Sequence, residues 1–187
     1  MDLLLSLFCS IIFLHFLSVN SRDSPPLAPA LYVFGDSLFD SGNNNLLPTL
    51  TRANYLPYGV NFPGGVTGRF TNGRTVADFI AEYLGLPYPP PSISIHGTVL
   101  TGLNYASGSC GILPETRLKD TRNPCCTTWL NGTLSSIPFL EPYPNRSEYF
   151  FWDAFHITEA ACSLIAARCI TGSSACVPMN IKALVQI

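Results

Sequence analysis

Apolar and polar positions divide the chain into a few ordered stretches separated by loops. The run ALYVF at Ala30–Phe34 is continuous and apolar, as in strands buried within a parallel sheet. It leads into Gly-Asp-Ser, and we expect a helix to start after Ser37. Residues Pro57–Gly73 are rich in Gly, Pro and Asn, which predicts a loop. The segment Gly102–Leu113 is predicted to be a strand that ends in a glycine-rich turn.

Two helices are predicted from apolar residues that recur at helical spacing. The first lies within Thr75–Leu86, with Thr75 as its N-cap and Gly85 as its end. The second is capped by Thr158 and ended by Gly172. Its predicted apolar side comprises Ala161, Leu164, Ile165 and Cys169.

The first residues have the pattern of a targeting segment. Leu3–Val19 is mainly apolar, and Val19–Ser21 offers residues suited to a cleavage site before a charged pair. We therefore expect residues 1–21 to be a cleaved signal peptide, followed by a single domain over 22–187. A membrane anchor is the open alternative, although the run is short for a span of about 20 residues. After cleavage we expect no stable membrane insertion.

Composition indicates a folded chain and argues against nucleic acid as a partner. Hydrophobic residues make up 47% of the 187 residues and charged residues 12%, which is typical of a globular domain rather than a disordered chain. The formal net charge is -2, and the only lysines are Lys119 and Lys182. Without a basic stripe, we expect no nucleic-acid binding.

Cysteines and glycosylation acceptors agree with export. Beyond Cys9, an even number of cysteines remains, which favours disulfides without selecting their pairing. These are Cys110, Cys125, Cys126, Cys162, Cys169 and Cys176. No CxxC pair is present and the adjacent Cys125 and Cys126 have poor zinc spacing, so we do not expect a metal site. Asn131 and Asn145 each begin an Asn-X-Ser/Thr glycosylation acceptor.

Ser37 is a candidate nucleophile because it follows a predicted strand directly. Open α/β sheets place catalytic groups at the carboxyl ends of their strands. A helix that starts after Ser37 would also favour a negative charge that develops beside the hydroxyl. The alternative is that the hydroxyl merely caps that helix.

A catalytic serine needs a base, and the chain contains three histidines. His15 lies in the expected signal peptide and His96 in an unremarkable loop, which leaves His156. Asp153 stands three residues earlier, so its carboxylate can orient the imidazole while the other ring nitrogen accepts the serine proton. The same spacing also fits a helix cap beside a packed histidine, and the residues alone do not decide between the two.

Four sequence motifs, taken in order, resemble one enzyme family. They are FGDSLFDSGNNN at Phe34–Asn45, TGRFTNGR at Thr67–Arg74, NYASGSCGIL at Asn104–Leu113 and FWDAFHITEA at Phe151–Ala160. Together they are similar to the plant GDSL esterases/lipases of the SGNH hydrolase superfamily, over nearly all of residues 22–187. The resemblance implies a three-layer α/β/α fold with a parallel sheet. It also implies hydrolysis of lipid or acyl esters through an acyl-serine, without a cofactor, by a protein secreted to the cell wall or apoplast.

The resemblance assigns roles to four residues. Ser37 is implied to be the nucleophile, Asp153 the orienting acid and His156 the general base. The backbone N–H groups of Ser37 and Gly108 are implied to form the oxyanion hole. In addition, Asp36 and Asn43–Asn45 are expected to hold the turn around the serine through bonds from side chain to backbone.

One element of the superfamily is missing from the sequence. The Gly-x-Asn-Asp block, whose asparagine is a third oxyanion donor, is not found. Near Asp120–Asn123 the chain passes directly to residues that resemble the carboxyl end of the family, so we expect an internal deletion and an incomplete sheet. Loss of an oxyanion donor typically costs about 10²–10³ in rate. The alternatives to an active esterase are therefore an impaired or inactive shortened form and, less favoured, a binding module.

Overall fold

The computed structural model describes residues 25–109, 139, 141–142, 144–153 and 155–187. The predicted signal peptide at 1–21, the junction near Asp120–Asn123 and the acceptor Asn131 lie outside the described residues. So do Cys110, Cys125 and Cys126.

Three helices lie in the described part of the chain. They are α1 at Val76–Leu84, α2 at Glu159–Thr171 and the short α3 at Ile181–Leu184. Single 3-10 turns occur at Asn43–Leu46, Ser92–Ser94 and Arg146–Glu148. Between the first of these turns and α1, residues 57–73 contain neither helix nor strand, which confirms the predicted loop.

Helix α1 has the predicted caps, and two side chains satisfy backbone N–H groups at its first turn. The Thr75 hydroxyl accepts a hydrogen bond from the backbone N–H of Asp78, and the Asp78 carboxylate accepts one from the N–H of Thr75 at 2.8 Å. This reciprocal capping box satisfies two N–H groups that the helix itself cannot. Gly85 ends the helix at φ 69°, a left-handed conformation that glycine adopts without a steric penalty.

Helix α2 also lies between its predicted caps, but it buries a narrower face than predicted. The Thr158 hydroxyl accepts from the N–H of Ala161 at 3.2 Å, and Gly172 follows the last helical residue. Placing Leu164 on the apolar side is wrong, because its side chain is 65% exposed. The buried face, which packs against α1, follows the small residues Ala161, Cys162, Ala166 and Cys169.

Isolated parallel bridges, rather than continuous strands, occur where a parallel sheet was predicted. Val33 pairs with Asn104, and Asn104 pairs with Pro91 on its other side. The N–H of Val33 donates to the carbonyl of Leu103 at 3.0 Å, and that of Tyr105 donates to the carbonyl of Val33 at 2.7 Å. Among the described residues, the predicted parallel pairing is therefore present as single bridges and not as extended strands.

The prediction that Ala30–Phe34 is a fully buried strand is wrong. Val33 is buried, but Tyr32 and Phe34, which flank it on the opposite face, are 53% and 72% exposed. Phe34 stacks on Tyr105 with ring centroids 5.2 Å apart. No described segment covers this face, so the bridge region has a core side and an open aromatic side.

Three small apolar clusters replace one large core in the described residues. The first joins α1 to α2 through Val76, Cys162 and Ala166. The second lies at the end of α1 and contains Ala81, Leu84 and Leu86. The third contains Ala53, Tyr58 and Phe70, with Trp152 packed against it. Because Trp152 belongs to the carboxyl-terminal part, the third cluster attaches that part to the 53–70 loop.

Polar contacts attach the start of α2 to the loop before α1. The Glu159 carboxylate accepts from the Arg74 guanidinium at 2.6 Å, and the N–H of Glu159 donates to the side-chain carbonyl of Asn72 at 2.8 Å. A Cβ added at Gly73 would collide with the Glu159 carboxylate. The two parts of the chain are therefore joined by polar contacts at Glu159 as well as by the third cluster.

A buried ion pair anchors the same loop to α1. Arg69 donates to both carboxylate oxygens of Asp78 at 2.8 Å, and the two side chains are 6% and 2% exposed. The guanidinium also lies over the Phe62 ring, 4.2 Å from its centroid. Asp78 thus satisfies the N-terminus of α1 and a buried cation at once.

One disulfide lies within the described residues. It joins Cys169 near the end of α2 to Cys176, with Cα atoms 4.9 Å apart. Cys162 is buried as a free thiol. Helices in the described ranges lack the length and apolar content needed to span a bilayer, and those ranges hold no cluster of residues suited to binding a metal ion.

The Cys162 thiol is expected to be inert in the folded protein. Burial raises its pKa to about 12, so the reactive thiolate is scarce at pH 8. We expect iodoacetamide at about pH 8 to modify Cys162 only after unfolding in urea. Mass spectrometry of the proteolytic peptide that carries Cys162 checks this, and equal modification with and without urea would contradict it.

Candidate active site

The side chains of Asp153 and His156 are in direct contact. Nδ1 of the imidazole lies 2.8 Å from Oδ1 and 2.7 Å from Oδ2 of the carboxylate. Oδ1 also accepts from the backbone N–H groups of Phe155 and His156, each at 2.9 Å. The spacing of three residues is therefore accommodated by a tight turn, closed by an antiparallel bridge between Phe151 and Ile157, and not by a helix.

This pair is buried in an aromatic environment. The side chains of Asp153 and His156 are 4% and 7% exposed. The Phe70 ring lies 4.9 Å from the imidazole centroid, and the rings of Tyr58 and Phe155 meet it edge-on. Because the carboxylate engages Nδ1, the neutral ring carries its proton there and presents Nε2 as a base.

The environment of Asp153 favours its charged form. Burial alone would raise the pKa of Asp153, but the hydrogen bond and charge of His156 and the bond from Tyr58 lower it, and the net result is a pKa below its usual value. Asp153 is therefore ionised at neutral pH. An ionised Asp153 stabilises the positive charge that His156 acquires when it takes up a proton.

Protonation of Asp153 is expected to remove part of the stability of the fold at low pH. A carboxyl whose pKa is lower in the folded chain contributes stability that is complete above the unfolded value of about 3.9 and is lost as pH falls through the folded value. We expect the unfolding free energies of the wild type and Asp153→Asn to differ at about pH 6, and this difference to shrink as pH falls below about 4. Urea unfolding measures both, and an undiminished difference near pH 3 would contradict the prediction.

Ser37 lies in a turn, so the prediction of a helix immediately after it is wrong. The Asp36 carboxylate accepts from the N–H of Leu38 at 3.0 Å, and the Asp36 carbonyl accepts from the N–H groups of Phe39 and Asp40. These bonds close the chain on itself before a helix can propagate. The dipole expected beside the Ser37 hydroxyl is consequently not formed, and the nearest helical turn is the 3-10 segment Asn43–Leu46.

The carboxylate of Asp40 organises the backbone that follows Ser37. It is fully buried and accepts from the N–H groups of Gly42 and Asn43 at 2.7 Å and of Gly108 at 3.0 Å. Burial raises the pKa of Asp40, while the bonds from these N–H groups oppose that change. Sequence reasoning missed this residue, although an acidic side chain between Ser37 and the asparagines was visible.

The asparagines hold the turn as predicted. The Asn43 amide donates to the carbonyls of Asn104 and Ala106 at 2.8 Å, and the Asn44 amide donates to that of Gly108 at 2.9 Å. The Asn45 amide donates to the carbonyl of Thr67 at 3.2 Å. These side chains therefore bind the first three sequence motifs together, a role that only close packing reveals.

Gly108 lies where a larger residue does not fit. A Cβ at this position would sit 2.6 Å from the amide nitrogen of Asn44 and 2.9 Å from the ring of Phe70. The N–H of Gly108 donates to Asp40 in this structure. To serve an oxyanion, this N–H would have to be shared with Asp40 or released from it.

Phe70 connects the two halves of the candidate site. It borders Gly108 on one side and the His156 imidazole on the other. The N–H of Ser107 donates to the carbonyl of Gly35 at 3.0 Å, which places the serine turn beside Gly108. Among the hydrogen bonds of the described residues, none joins the Ser37 hydroxyl to His156. The structure thus brings Asp153 and His156 into contact and places Gly108 against the same aromatic ring as His156, while the serine turn is joined to the Gly108 loop through Gly35 and Ser107.

Tyr58 contacts the site and was not anticipated from the sequence. Its hydroxyl donates to Oδ2 of Asp153 at 2.6 Å, across 95 positions of the chain. The only signal in the sequence was an aromatic residue in a segment otherwise suited to a loop.

Of the remaining predicted positions, His96 is exposed, and Asn145 is exposed at the start of the 3-10 turn Arg146–Glu148.

Comparison with known proteins matches residues 31–121 to the family described as GDSL-like lipase/acylhydrolase. GDSL esterase/lipase 7 of Arabidopsis thaliana is 58% identical over 121 residues, which cover 63% of this chain and 32% of the relative. A second GDSL esterase/lipase of Arabidopsis thaliana is 57% identical over 99 residues, covering 52% of this chain and 25% of that protein. The chain thus spans about a third or less of the length of these relatives. No solved structure matches it.

Proposed function

Because residues 31–121 belong to the GDSL-like lipase/acylhydrolase family, we propose that this chain is an esterase that hydrolyses carboxylic esters of acyl or lipid type. The observation that carries the proposal is the buried contact between Asp153 and His156, whose imidazole packs on Phe70, the ring that borders Gly108. Carboxylate, imidazole and serine are the three groups that acyl transfer to a hydroxyl requires.

In the proposed mechanism, the Ser37 oxygen attacks the ester carbonyl carbon while Nε2 of His156 takes the hydroxyl proton. The carbonyl oxygen becomes an oxyanion, for which the N–H groups of Ser37 and Gly108 are the proposed donors. Collapse of the intermediate breaks the bond to the alcohol, which leaves with the proton from His156. Water then attacks the acyl-serine with His156 as base, which releases the carboxylic acid and restores Ser37. The Ser37–His156 bond forms in the substrate complex, where such contacts tighten.

The finer parts of the proposal rest on particular features. A three-layer α/β/α arrangement is supported by the parallel bridges at Asn104 and by the packing of α1 on α2. Secretion to the cell wall or apoplast is supported by the apolar run at Leu3–Val19, and glycosylation by the exposure of Asn145. A small-molecule ester is the proposed partner.

An impaired or inactive shortened form is the second candidate, and two observations favour it. The N–H of Gly108 is engaged by Asp40, and the aromatic face at Tyr32 and Phe34 is uncovered by any described segment. Removal of one hydrogen-bond donor from an oxyanion hole typically reduces the stabilisation of the transition state by about 3 kcal/mol. Such a protein would keep the Asp153–His156 contact but turn over ester slowly.

A serine-directed fluorophosphonate distinguishes the two candidates. An activated serine with a working base attacks the phosphorus and displaces fluoride, which leaves a stable covalent adduct. We expect stoichiometric modification of Ser37 in the purified chain, located by mass spectrometry of the proteolytic peptide. Absence of the adduct under conditions in which a known serine esterase is fully modified would favour the inactive form.

A further inference from the structure

We propose that Tyr58 is a positioning residue whose hydroxyl fixes the carboxylate of Asp153 and, through it, the imidazole of His156. The hydroxyl of Tyr58 donates to Oδ2 at 2.6 Å, and Tyr58 itself is completely buried. The consequence for turnover rests on the proposed esterase function, whereas the consequence for the Asp153–His156 pair does not.

The arrangement of donors explains why this hydroxyl matters. Oδ1 of Asp153 accepts from the backbone of its own turn, at Phe155 and His156. The imidazole lies within hydrogen-bond distance of both oxygens, and Oδ2 also accepts from the Tyr58 hydroxyl. The Tyr58 bond therefore ties the carboxylate to the amino-terminal half, whereas the backbone bonds to Oδ1 come from its own turn. Loss of this donor would leave a buried carboxylate oxygen with one partner fewer.

Tyr58 is itself held on a rigid support. The N–H of Tyr58 donates to the carbonyl of Tyr55 at 3.1 Å, and that of Gly59 donates to the carbonyl of Thr71 at 2.9 Å. Gly59 has φ 68°, and a Cβ there would collide with the carbonyl of Gly65. The ring packs edge-on against Phe70, with centroids 5.9 Å apart. Since backbone and ring are both fixed, the hydroxyl presents its proton to Asp153 in a defined direction.

The proposal concerns the hydroxyl, so Tyr58→Phe is the appropriate substitution. It keeps the buried ring and removes only the donor. Tyr88→Phe is the matched control, because the Tyr88 hydroxyl donates to a carboxylate, that of Glu82, away from the candidate site. With a chromogenic short-chain acyl ester, we expect kcat to fall about 10- to 100-fold in Tyr58→Phe with KM changed less than twofold, and neither to change in Tyr88→Phe.

A second measurement does not require turnover. The titratable groups that contact the Asp153 carboxylate, among the described residues, are His156 and Tyr58. In the full chain, we expect the titration of Asp153, monitored through the neighbouring His156 Cε1–H nuclear magnetic resonance, to move to higher pH in Tyr58→Phe, because a donor to the charged carboxylate is lost. Tyr88→Phe should titrate like the wild type.

The outcomes separate this inference from the proposed function. If the Asp153 titration is shifted in Tyr58→Phe but the wild type hydrolyses no ester, the positioning role is supported and the esterase is removed. Ester turnover with identical Asp153 titrations and identical kcat in Tyr58→Phe and wild type would overturn the positioning role alone. If Tyr58→Phe does not fold, the wild-type Tyr58 Cζ resonance decides: it must follow the titration of Asp153, and independence of the two would overturn the inference.

Discussion

Replacement of Ser37 by alanine is expected to abolish ester hydrolysis, with a loss of about 10³-fold or more in kcat. The acyl-enzyme cannot form without the hydroxyl. Direct hydrolysis would then depend on a water molecule that the protein does not hold in place. The Asp36 and Asp40 contacts that shape the turn use the backbone and their own carboxylates, so the substitution leaves them intact. Burst and steady-state hydrolysis of a chromogenic short-chain acyl ester measure the effect.

Two further variants make this experiment specific. Ser94→Ala removes an exposed hydroxyl that bonds only its local carbonyl, that of Pro91, and should retain full activity. His156→Ala should lose about as much activity as Ser37→Ala, because groups that act as a unit are not additive. Equal turnover by Ser37→Ala and wild type would eliminate the proposed nucleophile, whereas loss in Ser94→Ala would indicate a non-specific effect.

Replacement of Asp78 by alanine is expected to lower the free energy of unfolding by about 3–5 kcal/mol. The change leaves the buried Arg69 guanidinium without its two bonds to carboxylate, and it removes the capping partner of Thr75. A charge stranded in a buried site has neither water nor a counter-ion to stabilise it. Since a domain is typically stable by only about 5–15 kcal/mol, the variant should be close to unfolding.

Glu82→Ala on the same helix provides the control. The Glu82 carboxylate pairs with Arg74, but both side chains are more than a third exposed. Such exposed pairs contribute about 0–1 kcal/mol, because water and salt screen them. Urea unfolding followed by circular dichroism compares the two variants. A loss below about 1 kcal/mol in Asp78→Ala would show that the Arg69–Asp78 pair does not hold the loop to the helix.

The elements predicted correctly are those fixed by neighbouring residues. Thr75 and Gly85 bound α1, and Thr158 and Gly172 bound α2, because a cap acts through bonds within a few positions. The helix expected after Ser37 failed for an equally local reason, since Asp36 closes a turn first. Asp36 was expected to bond the backbone here, and that expectation already conflicted with a helix after Ser37, because such bonds compete with helical ones.

Burial was predicted less well because it depends on segments that lie elsewhere. Phe34 and Leu164 both fit an apolar pattern, yet both are exposed. A pattern shows which side of an element is apolar, but it does not show whether another segment covers that side. The residues of α2 that pack around Val76 of α1 are Cys162, Ala166 and the partly buried Ile165, whereas Leu164 points away from this contact and is exposed.

The sequence by itself determined the helix ends, the loop before α1 and the close spacing of Asp153 and His156, because each is written in residues a few positions apart. The Phe70 bridge between Gly108 and His156, the Tyr58 bond to Asp153 and the use of the Gly108 N–H by Asp40 were decided only by the tertiary structure. These contacts join residues separated by tens of positions. Which distant groups meet depends on how the whole chain packs, and no local pattern encodes that choice.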